Sequence, residues 1–140
     1  MRTTVVVYRH DSGSEFRKGA AMEKKLQDAE LKVMHVIWRE EPVKASRIVK
    51  ILAGETGWNM NTTYTLIKRC IAKGAVERSE PGFVCRALVS KEDVQRAETD
   101  RLIDRIFDGS ADKLFAALLG RKQLSDEEIQ KLRAIIGELE

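Results

Sequence analysis

The chain has 140 residues, 34% of them charged, with 25 Lys/Arg against 22 Asp/Glu for a net charge of +3. That length holds one domain, or a small domain with an oligomerisation element, and no apolar run approaches the roughly 18–20 residues that span a bilayer. The N-terminus lacks the apolar stretch of a signal peptide, and the two cysteines, Cys70 and Cys85, have no Cys-x-x-Cys spacing; the expectation is a cytoplasmic protein with no disulfide framework and no metal site.

Charge is unevenly placed. Residues 44–91 carry nine Lys/Arg and three Glu, net +6, whereas residues 92–140 carry eight Lys/Arg and twelve Asp/Glu, net −4. A basic middle suits a polyanionic partner, and an acidic C-terminal part has some other task.

Residues 1–21 are expected to form a disordered tail, because the Val5-Val6-Val7 run has no nearby partner strand. Lys18-Gly19-Ala20 can be encoded by a ribosome-binding sequence, which makes Met22 a candidate start. A first helix is expected over roughly 28–40. Gln27 or Asp28 caps it, Gln27 and Glu30 have capping-box spacing, and Leu26 with Leu31 forms a hydrophobic staple. Ala29, Val33, Met34, Ile37 and Trp38 make its apolar stripe, and Pro42 ends it.

A second helix, about 45–55, turns Ile48, Val49, Ile51 and Leu52 inward. Lys44, Ser46 and Arg47 sit at its N-terminal end, where backbone N–H groups and the dipole favour phosphate. Gly57 stops it, and Asn59 or Asn61 caps a third helix after only a short turn. At 100° per residue the stretch 58–74 has two faces. Met60, Thr63, Leu66, Ile67, Cys70 and Ile71 lie on one; Asn61, Thr65 and Lys68 lie on the other, with Tyr64 on one flank and Thr62 and Arg69 on the opposite flank. The second face has no acid and holds the groups that meet base edges and phosphates. A solvated basic face is the plain alternative for this helix taken alone.

After Gly74 the pattern alternates. Residues 75–78 and 83–88 read as two short strands joined by Ser79-Glu80-Pro81-Gly82. Three helices followed by a hairpin is the winged helix-turn-helix order, with Arg78 and Arg86 on the wing. Helices then recur over about 91–107, 111–119 and 126–139, the last opened by the capping box Ser125-Asp126-Glu127-Glu128. The fold class expected is mostly α: a winged helix-turn-helix domain at 22–90 with a small β-hairpin wing, then a three-helix dimerisation region at 91–140. Three helices bury their own stripes poorly, so Leu102, Ile106, Phe107, Leu114, Leu118, Ile129, Leu132 and Ile136 are assigned to contact with a second copy. A two-fold pair of third helices suits a pseudo-palindromic site on double-stranded DNA.

Catalytic constellations are missing from the sequence. There is no Gly-rich phosphate loop, zinc-protease motif or Gly-x-Ser-x-Gly, and nothing marks His10 or His35 as a ligand. No enzyme activity and no cofactor are expected. Asn61, Thr62, Tyr64 and Thr65 are assigned to base edges, and Lys44, Ser46, Arg47, Lys68, Arg69 and Lys73 to phosphates. The alternative is a winged-helix protein-interaction module whose basic face meets an acidic partner.

Residues 26–139 resemble the penicillinase and methicillin-resistance repressors, the BlaI/MecI/CopY family. The resemblance rests on Asp28-Ala29-Glu30-Leu31-x-Val33-Met34-x-Val36-Ile37-Trp38, on Trp58-x-x-x-Thr62-x-x-Thr65-Leu66-x-x-Arg69 with Lys73-Gly74, and on two downstream runs. These are Leu102-Ile103-x-x-Ile106-Phe107-x-Gly109 and Leu124-Ser125-x-x-Glu128-Ile129-x-x-Leu132. The resemblance implies a winged-helix dimer that represses a resistance or stress gene, with DNA contacts from Thr62, Thr65 and Arg69. In the β-lactam-sensing branch a membrane sensor protease triggers cleavage, and the matching bond is near Arg101–Leu102, with a different residue on its N-terminal side here. The copper-sensing branch carries a Cys-x-Cys pair near its C-terminus, and this chain has no Cys after Cys85. Cys70 and Cys85 stand where larger apolar or aromatic residues are usual in the family, and Ala87 where proline is.

Overall fold

Helix α1 (Asp28–Glu40) opens on Gln27, which is extended (φ −79°, ψ 163°) and donates its backbone N–H to Glu30 Oε1 at 2.8 Å. Leu26 is buried and Leu31 half-buried against the core, the flanking apolar pair of a stapled start. Glu41 turns extended (φ −61°, ψ 143°) before Pro42 and ends the helix. The computed structural model describes residues 25–120 and 124–138, so the expected tail at 1–21 and the candidate start at Met22 lie outside the described residues.

Strand β1 (Val43–Lys44) follows at once. Sequence reading missed it, because two residues show no alternation. It is real as a ladder: Val43 pairs with Cys85 and Lys44 with Val84. Helix α2 (Ala45–Thr56) buries Ala45, Ile48 and Leu52, with Val49 and Ile51 half-buried. Gly57 closes it at φ 78°, a left-handed conformation that a Cβ disfavours. Thr56 Oγ1 donates to the Leu52 carbonyl at 2.7 Å and accepts the Trp58 N–H at 3.1 Å, which fixes the turn. Asn59, not Asn61, caps helix α3 (Met60–Ala72): its Oδ1 accepts the Thr62 N–H at 2.9 Å.

Strands β2 (Val76–Ser79) and β3 (Val84–Ala87) form the expected hairpin, with Val76 opposite Ala87 and Ser79 opposite Val84. The antiparallel sheet runs β1-β3-β2, so the two-stranded hairpin wing is extended by β1 into a three-stranded sheet. Backbone bonds from Ala75 N–H to the Cys70 carbonyl (2.9 Å) and from Leu88 N–H to the Ala75 carbonyl (2.8 Å) fasten it to α3. The core beneath draws Val33, Met34, Val36 and Ile37 from α1, Ile48 and Leu52 from α2, Leu66, Ile67 and Cys70 from α3, and Val76, Cys85 and Val89 from the sheet and its exit.

Helices α4 (Lys91–Ile106), α5 (Ala111–Leu119) and α6 (Asp126–Glu138) complete six helices among the described residues. The chain divides into two compact units between Ala97 and Glu98, inside α4; sequence reading set the boundary after Ser90. The start of α4 goes with the first unit for visible reasons. Trp38 Nε1–H donates to the Val89 carbonyl at 3.0 Å, and Val94 packs on the winged core. In the second unit Ser125 and Glu128 make the expected capping box, with the Glu128 N–H on Ser125 Oγ at 3.1 Å and the Ser125 N–H on Glu128 Oε1 at 3.0 Å. No described residue of α4, α5 or α6 is buried.

Candidate nucleic-acid interface

The outward face of α3 follows from what its inward face spends on packing. Thr63, Leu66, Ile67 and Cys70 are buried, and Asn61, Thr65, Lys68 and Arg69 are exposed. Thr62 and Tyr64 are half-buried on the flanks. Met60 departs from its expected place: at 58% exposure it stands clear of the core, one residue inside the helix start. Beside this face is a concavity of about 410 Å3. Ala29, Trp58 and Leu66 supply its apolar surface, and Asn61, Thr62, Thr65 and Arg69 its polar surface. Trp58, which the helical pattern assigns to neither face, walls the groove.

Helix termini give the second element. The first turns of α1, α4, α5 and α6 each carry one or more acids, as the dipole favours. The first turns of α2 and α3 carry none. The two helices of the helix-turn-helix therefore leave their positive ends unneutralised. Ser46 and Arg47 are exposed in the first turn of α2, and Lys44 is exposed on β1 just before it. Phosphate oxygens are the anions such ends accept.

Not every assigned cation is available. Lys73 faces the other way. Its Nζ lies 2.6 Å from Glu30 Oε1 and 2.7 Å from the Lys25 carbonyl, so it closes the domain. Arg78 is also engaged. It pairs with Glu80, and its guanidinium sits 3.6 Å from the centroid of the Phe83 ring. Phe83 in turn meets Tyr64 of α3, ring centroids 5.8 Å apart. This aromatic contact, invisible in spacing, joins wing to α3. Arg86 is exposed on β3.

Cys70 and Cys85 are free and buried. Burial, and next the Glu30 carboxylate, push the Cys70 thiol up to about 12; burial pushes Cys85 up to about 11. Thiols held so firmly protonated are core atoms, not nucleophiles. Among the described residues no group of three or more His, Cys, Asp or Glu is placed to hold a metal, and no helix is long and apolar enough to cross a membrane.

The second unit presents a different surface. Of the residues assigned to self-association, Leu102, Ile106 and Ile136 are exposed, and Phe107, Leu114, Leu118, Ile129 and Leu132 are half-buried. Phe115, Leu119 and Ile135 are exposed as well and belong to the same apolar set. Arg101, beside the bond matched to regulatory cleavage, is half-buried and pairs with Glu98 at 2.7 Å.

Comparison with known proteins gives relatives along most of the chain. The chain is 30% identical over 115 residues to the penicillinase repressor of Bacillus licheniformis, covering 81% of this chain and 90% of that protein. It is 27% identical over 114 residues to the methicillin resistance regulatory protein MecI of Staphylococcus aureus (strain N315), covering 80% and 93%. The solution structure of the DNA-binding domain of the repressor BlaI matches 49% of this chain and 85% of its own length, at 33% identity and a TM-score of 0.46. The penicillinase repressor family matches residues 26–138. The chain belongs to the penicillinase repressor family.

Proposed function

We propose that the chain is a dimeric transcriptional repressor, active in the cytoplasm, that binds a pseudo-palindromic operator through its winged helix-turn-helix. The carrying observation is the pair of acid-free helix starts on α2 and α3, next to an α3 face of amide, hydroxyl, ammonium and guanidinium groups. Asn61, Thr62, Tyr64 and Thr65 are the base-edge readers. Lys44, Ser46, Arg47, Lys68 and Arg69 set register on phosphates, with Arg78 and Arg86 from the wing. Residues 22–90 make the DNA-binding part and 91–140 the dimerisation part.

Dimerisation is supported by the exposed Leu102, Ile106, Phe115, Leu119, Ile135 and Ile136 of a unit whose helices have no fully buried residue among those described. Names of the relatives, a penicillinase repressor and a methicillin resistance regulatory protein, favour an antibiotic-resistance gene of the β-lactamase type as the target, and the family resemblance of residues 26–139 suggests a membrane sensor protease as the partner that ends repression. Footprinting on the DNA flanking the chain's own gene tests the reading. Two protected half-sites related by a two-fold axis, one or more helical turns apart, are expected. A single protected patch, or none at low salt, contradicts it.

A further inference from the structure

The wing tip holds a linked set of contacts that a simple phosphate-binding arginine does not need. Glu80 pairs with Arg78 through Oε2, and its Oε1 accepts the Phe83 N–H at 3.3 Å. The Arg78 guanidinium lies over the Phe83 ring at 3.6 Å, and that ring meets Tyr64 on α3. The cation is thus fixed from two sides, by a carboxylate along its edge and an aromatic ring beneath its face.

Resting on the reading of the α3 face as a DNA interface, we infer that Glu80 is a built-in stand-in for phosphate. It holds the Arg78 guanidinium in its DNA-contacting pose and yields that place to a backbone phosphate on binding. The geometry permits the exchange. Both side chains are 43% exposed, and ion pairs at such exposure are weak. Arg with phosphate makes a charge-assisted, often bidentate, pair that outcompetes it. The Phe83 ring stays beneath the guanidinium during the exchange, so the side chain is not released to solvent. Arg86, exposed on the neighbouring strand, has no carboxylate partner among the described residues and serves as the internal control.

The test is fluorescence anisotropy of the full chain on a labelled random-sequence duplex, titrated at several KCl concentrations. Glu80→Gln keeps the acceptor for Phe83 N–H and removes the charge. It should tighten binding about two- to fivefold, the worth of an exposed ion pair, and leave the log K against log[salt] slope close to the wild-type value, because Arg78 meets a phosphate in both proteins. In an Arg78→Gln background the same change should have no effect, whereas in an Arg86→Gln background its effect should persist in full. Unchanged binding by Glu80→Gln, or tightening that survives loss of Arg78, overturns the inference. A wild-type chain that binds no duplex at low salt removes the interface reading itself, a result distinguishable from either.

Discussion

Lys73 Nζ lies 2.6 Å from Glu30 Oε1, and Glu30 is 2% exposed although it is ionisable. The two residues are 43 positions apart and join the start of α1 to the end of α3. A carboxylate this deep needs its cation. Lys73→Met should lower stability by about 2–4 kcal/mol, towards the low end because Lys73 is partly exposed. Urea unfolding should show a lower midpoint at unchanged slope. Glu30→Leu combined with Lys73→Met should recover part of the loss. The salt slope of DNA binding should stay at the wild-type value in Lys73→Met, since Lys73 is not on the α3 face.

That pair also marks the limit of what the sequence displays. Glu30 reads as the third residue of a capping box, which it is, since Gln27 N–H binds it. Nothing in spacing says that the same carboxylate faces α3, because a contact across 43 residues leaves no periodic trace. The helices were legible because their apolar stripes, caps and stops are local. The inward residues of α3, Thr63, Leu66, Ile67 and Cys70, were legible for the same reason. Strand β1 was not, being two residues long and defined only by its partner. Met60 obeys the 100° rule yet stays exposed, because the first residue of the helix lies beyond the edge of the core that Thr63 already enters. Of the expected cations, Lys68, Arg69 and Arg86 are exposed as the helical and strand patterns indicate; Lys73 and Arg78 are held by tertiary partners.

The buried thiols give a pH prediction. Each cysteine is neutral when folded and has its folded value raised, from an ordinary 9.0 to about 12 for Cys70 and about 11 for Cys85. The unfolded chain therefore loses these protons first. Stability from keeping the thiols neutral is full below about pH 9 and declines from there towards pH 11–12. Alkylation by iodoacetamide at pH 8 should follow global unfolding. Rapid labelling of both thiols in the native protein would refute the burial of these sites.

Thr63 offers a stabilising change. Its hydroxyl is buried on the inward face of α3, and Oγ1 has no hydrogen-bond partner among the described residues. Thr63→Val keeps the shape and removes the desolvated group, so unfolding free energy should rise by about 0–1 kcal/mol. Operator affinity should not change. A loss above about 1 kcal/mol would mean that the hydroxyl is satisfied in solution.

Self-association through the second unit predicts a clean dissociation. Ile106 is 57% and Leu119 63% exposed within one chain, so a charge at either removes little internal packing. Ile106→Asp with Leu119→Asp should sediment as a monomer and keep the wild-type far-UV circular dichroism. Its affinity for the two-half-site operator should fall by at least tenfold, since the second half-site no longer adds an intramolecular contact. A variant that remains dimeric places the interface elsewhere.

The claim that the α3 face reads DNA is tested most directly by comparing wild type, Thr65→Ala and Arg69→Ala on DNA upstream of the chain's own gene and on a random duplex, across a salt series. The expectation is that Thr65→Ala weakens the upstream site by about 1–3 kcal/mol and leaves random DNA unaffected. Arg69→Ala should weaken both alike and flatten the salt slope by about 0.9. Equal effects of the two substitutions on both duplexes, or wild-type binding that prefers neither, would contradict the account.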